Sequence, residues 1–133
     1  MLSFMRLMGI DYGSKRVGIA LSDEGGAMSF PHTVLKNGSQ LMDEVVSLVE
    51  KEDVGRIVVG FSIDGEGNEN AIQEEINAFV NTLSERVVVP VVLEPERYTT
   101  QAALRIQGRT DMTDASAAAL ILDAYITRTK QIP

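Results

Sequence analysis

The chain has 133 residues, a net charge of −7, 44% hydrophobic and 23% charged residues, no cysteine and one histidine. That length fits one domain spanning 1–133, large enough to bury a core without staples. The missing thiols exclude a disulfide framework, thiolate catalysis and a zinc–thiolate site, and a lone His32 excludes a multi-histidine metal site and leaves no evident Ser-His-Asp triad.

The opening stretch MLSFMRLMGI is short and runs directly into strand-like sequence, so it reads as a first strand with a small overhang rather than a signal peptide. No apolar run approaches the roughly 20 residues that a membrane helix needs. A cytoplasmic location is the expectation. The first strand carries Leu7, Met8 and Ile10 and ends in a turn at Gly13. Gly13-Ser14-Lys15-Arg16 forms a hairpin-like connection into a second strand, Val17 to Ser22. Gly25-Gly26 marks another turn, and Ala27 to Leu35 reads as a third strand, with Pro31 pointing to a bulge or an edge.

Helix follows. Ser39 is placed to cap a helix over Gln40–Glu52, with Leu41, Val45, Leu48 and Val49 at helical spacing. Arg56 to Phe61 is a short apolar strand of the kind buried on both faces. Ser62 to Asn70 reads as a loop, and Ala71–Arg86 as a helix with Ile72, Ile76, Phe79, Val80 and Leu83 on one face. Val87 to Leu93 reads as a second buried strand. Thr99 or Thr100 caps a short helix to about Gln107, closed by Gly108. Thr113 or Asp114 caps the last helix, whose stripe is Ala117, Leu120, Ile121, Ala124 and Tyr125. A meander followed by alternating helix and strand indicates an α/β fold with a mixed five-stranded sheet flanked by helices.

Residues able to carry chemistry cluster near the ends of these elements. Asp11 ends the first strand, where open α/β sheets place their ligands, although Asp is also a common turn residue. Glu94 and Glu96 fall on one side if their strand continues, while Pro95 between them argues against a regular strand interior. Asp111 and Asp114 flank the start of the last helix, where Asp is also a routine cap. Taken singly these are weak signals. Together they form a set of carboxylates suited to Mg²⁺ or Mn²⁺, hard cations that take oxygen ligands. Two such ions about 4 Å apart support phosphodiester hydrolysis. Lys15, Arg16, Arg97, Arg105 and Arg109 are candidate phosphate contacts. Tyr12 and His32 read as structural, and Thr99 and Thr100 as caps. Residues 24–93 hold four Lys or Arg against twelve carboxylates, so the acid sits mid-chain and both ends are close to neutral.

The motif Gly9-Ile10-Asp11-Tyr12-Gly13-Ser14-Lys15-Arg16-Val17-Gly18-Ile19-Ala20 closely resembles the opening of the YqgF/RuvX family. Val58-Val59-Gly60, Glu96-Arg97-Tyr98-Thr99-Thr100-Gln101-Ala102 and Asp114 to Leu122 are similar, in the same order, to its later motifs. The resemblance implies an RNase H-like fold and a nuclease that processes the 5′ end of pre-16S ribosomal RNA, or a Holliday junction resolvase related to RuvC. It also implies an acidic site of Asp11, Glu96 and Asp114. This chain departs from the pattern at Pro95, where the family has Asp, so Glu94 stands as an alternative to Glu96. Phe61-Ser62 replaces a Leu-Pro pair. The basic stretch before the last helix is reduced to Arg105 and Arg109, which weakens the electrostatic part of nucleic-acid binding.

Three readings follow. The first is a metal-dependent endonuclease on structured nucleic acid, pre-16S RNA or branched DNA, acting as monomer or dimer. The second is a non-catalytic relative that binds RNA or protein. The third, half of an actin-like ATPase, needs more chain than is present.

Overall fold

The computed structural model describes residues 5–62, 69–96 and 111–130. Five strands, β1 (Arg6–Tyr12), β2 (Arg16–Ser22), β3 (Ser29–Lys36), β4 (Val54–Ser62) and β5 (Val91–Glu96), form one sheet in the order β3-β2-β1-β4-β5. Helices α1 (Leu41–Lys51), α2 (Glu69–Arg86) and α3 (Asp111–Lys130) complete the described elements. The β1-β2 and β2-β3 pairs are antiparallel, and β1-β4 and β4-β5 are parallel. The meander and the mixed sheet expected from the sequence are both present.

Alternation along β1 divides the core. Met8 and Ile10 face the side covered by α1 and α2, where they pack with Val45, Val49, Ile57, Ile76, Phe79 and Leu83. Leu7 faces the other side and packs with Ala20, Val58, Ala118, Ile121, Leu122 and Tyr125. β4 is apolar on both faces because each face is covered: Ile57 and Val59 look one way, and Val58 looks the other.

Two close approaches let α3 lie flat on the sheet. A Cβ at Gly9 would stand 2.8 Å from the carbonyl oxygen of Ala118 and 2.9 Å from Cβ of Leu122. A Cβ at Gly60 would stand 2.4 Å from Cδ1 of Ile121. Glycine is required at these points for proximity, and only the opposing helix explains why.

Several boundaries differ from the sequence reading. The fifth strand starts at Val91, not Val87, and runs to Glu96. The backbone N–H of Val87 still donates to Leu83 at the end of α2, and Val88 is fully exposed. The strand passes through Pro95 because, among the described residues, β5 is an edge with no ladder to break on its outer side. Ser39 does not cap α1. Gln40 occupies the cap position, and its side chain makes no capping hydrogen bond. α3 begins at Asp111, which puts Thr113 and Asp114 inside the first turn rather than at the cap. Its buried face is Ala115, Ala117, Ala118, Ile121, Leu122, Tyr125 and Ile126, whereas Leu120 and Ala124 are exposed. Pro31 marks both features the sequence suggested: β3 is the opposite edge, and its register against β2 shifts at His32. The short helix expected between Thr99 and Gln107 lies outside the described residues.

Candidate active site at the carboxyl ends of the strands

Because β1, β4 and β5 run parallel, their carboxyl ends meet at one end of the sheet. Asp11 pairs with Gly60, and Gly60 with Glu94, so the three form a row across these strands. Gly60 faces Ile121 of α3. Residues in register share a face, so Asp11, two residues beyond Gly9, also lies on the α3 side. Asp11 is half-buried. Glu96 is the last residue of β5, opposite Ser62, on the same face by alternation. Asp114 lies in the first turn of α3, one turn before Ala118, whose carbonyl oxygen stands over Gly9. The backbone thus brings the carriers of Asp11, Glu96 and Asp114 to one face. The side chains of Glu96, Asp111 and Asp114 lie outside the described residues, as do Arg97, Thr99, Thr100, Arg105 and Arg109 entirely.

Glu94 is different. Its carboxylate is buried and accepts a hydrogen bond from Nη2 of Arg128 at 2.5 Å. That hydrogen bond, then the charge of Glu94, holds the Arg128 guanidinium above its usual pKa. Arg128 also lies over the ring of Tyr125, with its guanidinium carbon 5.5 Å from the centroid. Tyr125 in turn accepts a hydrogen bond from Arg56 at 2.7 Å. Glu94 therefore ties the far end of α3 to β5. Sequence reasoning missed Arg128, whose one available signal was its place one turn after Tyr125 on the core stripe.

Lys15 is exposed in the β1-β2 turn. Asn37 closes that turn from the side: its backbone N–H donates to the Lys15 carbonyl at 3.0 Å and its side chain donates to the Gly13 carbonyl at 2.7 Å. Arg16 opens β2, two residues before Gly18, which pairs with Asp11. Tyr12 turns to the opposite face and packs on Phe79 with ring centroids 5.0 Å apart, the structural role read from the sequence. His32 is exposed on the outer strand, where it lines a groove with Asp43 and Glu44 of α1.

The donor set fits a hard divalent cation. Its members are carboxylates on three separate elements, and no thiol exists to favour a softer metal. Among the described residues no three carboxylate or imidazole side chains converge, and two of the three candidate ligands are not among those side chains.

The family model for RuvX, described as Holliday junction resolvase, matches residues 5–128. The chain belongs to the RuvX family. A relative from Maridesulfovibrio salexigens, provisionally named pre-16S rRNA nuclease, is 30% identical over 134 residues, covering 93% of this chain and 99% of its own. A second with the same name, from Desulforudis audaxviator, is 33% identical over 136 residues, covering 95% and 96%. Among solved structures, Thermus thermophilus RuvC in complex with a Holliday junction substrate superposes with a TM-score of 0.64 at 16% identity, over 95% of this chain and 96% of that one. The fowlpox virus Holliday junction resolvase gives 0.56 at 14% identity, over 93% and 99%. These likenesses establish the RNase H-like fold of this RuvX protein. None of its described helices is long and apolar enough to cross a membrane.

Proposed function

We infer that the chain is a divalent-metal-dependent endonuclease that hydrolyses phosphodiester bonds in structured nucleic acid, with the 5′ region of pre-16S ribosomal RNA as substrate. The observation that carries this reading is the position of Asp11 at the carboxyl end of β1, on the face that α3 crosses, in a chain whose RuvX relatives are named for that reaction.

In this reading Asp11, Glu96 and Asp114 hold Mg²⁺ or Mn²⁺, with Asp111 the nearest alternative on α3. When bound, such an ion lowers the pKa of water and offsets the charge that grows on the phosphoryl oxygens and the leaving oxygen. The protein supplies position. The row Asp11–Gly60–Glu94 fixes β1 against β5, and α3 is pressed on it through Gly9 and Gly60. Lys15, Arg16 and Arg97 hold the phosphates on either side of the cut. Glu94 serves Arg128 in this reading, a role its ion pair supports, and Glu96 is the acidic ligand from β5.

The family description and the resolvase fold favour one second reading, cleavage of four-way DNA junctions by the same chemistry, in a dimer that makes paired cuts. Incubating the protein with labelled pre-16S RNA and with a four-way DNA junction, in Mg²⁺ or Mn²⁺ and again with EDTA, separates the two. Preferential metal-dependent cutting of the RNA is the expected result. Preferential cutting of the junction selects the second reading, and no cutting of either above background rejects both.

A further inference from the structure

The acid on this protein is unevenly placed around the site. From Tyr12 to Met42 the only carboxylates are Asp23 and Glu24, and both lie in the β2-β3 turn at the far end of those strands. At the near end the same stretch carries Lys15, Arg16 and Lys36. The register brings these cations together. Arg16 and Lys36 are directly paired across β2 and β3, which places their side-chain origins about 5 Å apart. Lys15 is joined to the residue after Lys36 by the Asn37–Lys15 backbone hydrogen bond of 3.0 Å.

The pleat also sets which way they face. Asp11 pairs with Gly18, and Arg16 has the same parity as Gly18. Val17 looks the other way, into the α1–α2 side of the core. Asp11, Arg16 and Lys36 therefore share the α3 face, and the steps from Asp11 to Lys36 cross two strand spacings, about 10 Å. That is the span of a few nucleotides along a strand. Among the described residues, other routes away from Asp11 offer a polyanion less. The α1–α2 side presents Asp43, Glu44, Glu50, Glu74 and Glu75, and on the β5 side Arg128 is engaged by Glu94.

We propose that the substrate's phosphodiester backbone leaves Asp11 across the β2-β3 edge of the sheet, and that Lys36 holds a phosphate beyond those held by Lys15 and Arg16. This rests on the nuclease reading and adds to it a direction for the bound strand and a contact on the third strand. Lys36 is exposed at the end of β3, so its ammonium reaches such a phosphate without disturbing the core.

The test uses full-length Asp11→Asn protein, to stop cleavage, with a fluorescein-labelled RNA hairpin carrying a single-stranded flank and a labelled four-way DNA junction as probes. Anisotropy titrations across salt concentrations compare that parent with Lys36→Gln, Lys36→Glu and Lys36→Arg added to it. Lys51→Glu, on the exposed end of α1, controls for net charge. Loss of one phosphate contact lowers the salt slope by about 0.7–0.9. Lys36→Gln is expected to show that drop. Lys36→Glu is expected to weaken binding at least tenfold more than Lys51→Glu, and Lys36→Arg to keep both slope and affinity. If the parent binds and Lys36→Glu behaves like Lys51→Glu, the proposed path is wrong while the nuclease reading survives. If the parent binds neither probe at low salt, both fall together.

Discussion

Gly9 offers the sharpest test of how the site is assembled. In Gly9→Ala the new methyl would stand 2.8 Å from the Ala118 carbonyl oxygen and 2.9 Å from Leu122 Cβ, against 3.4 Å where ordinary contact begins. Relief requires α3 to retreat by about 0.6 Å, because the nearest atom is backbone and no rotamer moves it. Overpacking of this kind costs about 1–3 kcal/mol. For a chain of this length that lowers the melting temperature by about 3–6 °C per kcal/mol. The same retreat lifts the first turn of α3 from the end of β1, so metal-dependent cleavage should fall further than stability alone explains. Circular dichroism melts and urea titrations read the first effect, and single-turnover cleavage at a temperature where the variant is fully folded reads the second. Gly60→Ala makes the contrast, since its clash is with side-chain atoms of Ile121. Ile121→Ala removes those atoms, and the double variant should recover about 1–2 kcal/mol relative to the sum of the singles. A Gly9→Ala protein that melts within about 2 °C of the parent would refute the argument that this glycine seats α3.

Further outcomes follow from other local features. Glu94→Gln should lower the melting temperature by roughly a few degrees while leaving metal-dependent cleavage in place, because Glu94 is taken up by Arg128; loss of cleavage in a folded Glu94→Gln protein would return Glu94 to the metal site. Asp23 accepts hydrogen bonds from the backbone N–H groups of Met28 and Ala27 at 3.1 and 2.7 Å, and these hold its carboxyl below the usual pKa. Its stabilisation is therefore complete above the unfolded Asp value, about 3.9, and is lost as pH falls through the lower folded value. Asp23→Asn should remove that part of the acid-side slope in stability measured by urea titration from neutral pH downward. Asp53 joins α1 to β4 with φ of +57°, a conformation that strains most L-residues. Asp53→Gly should raise stability by about 0.5 kcal/mol, the relief of strain exceeding the added freedom of the unfolded chain, and a lower urea midpoint would contradict this.

The parts of the fold that were legible in the sequence are those with an unambiguous period. β1, β2, α1 and the buried run of β4 were readable because alternation or helical spacing determines a burial pattern directly. β5 was misplaced for two physical reasons. Val87-Val88-Val89 looks like a strand, but Val87 finishes α2 and Val88 meets only solvent. Pro95 looks like a strand breaker, but an edge strand has one side free of ladder bonds. The stripe of α3 was partly misread because small residues such as Ala117, Ala118 and Ala124 carry little apolar signal, so the helix's phase depends on what it packs against. Asp11 was legible from its position after a strand and before a turn. The partner of Glu94 was not, because Arg128 lies 34 residues away in sequence. Nor could local sequence reveal that Lys36 lies beside Arg16, which only the β2-β3 register determines.

The central claim is that Asp11 anchors a metal-dependent phosphodiester cleavage site, and single-turnover cleavage of labelled pre-16S RNA by the parent and by Asp11→Asn, each in Mn²⁺ and in EDTA, tests it most directly. The account predicts metal-dependent cutting by the parent and background cutting by a normally folded Asp11→Asn. Equal cutting by the two proteins, or cutting by the parent that survives EDTA, would contradict it.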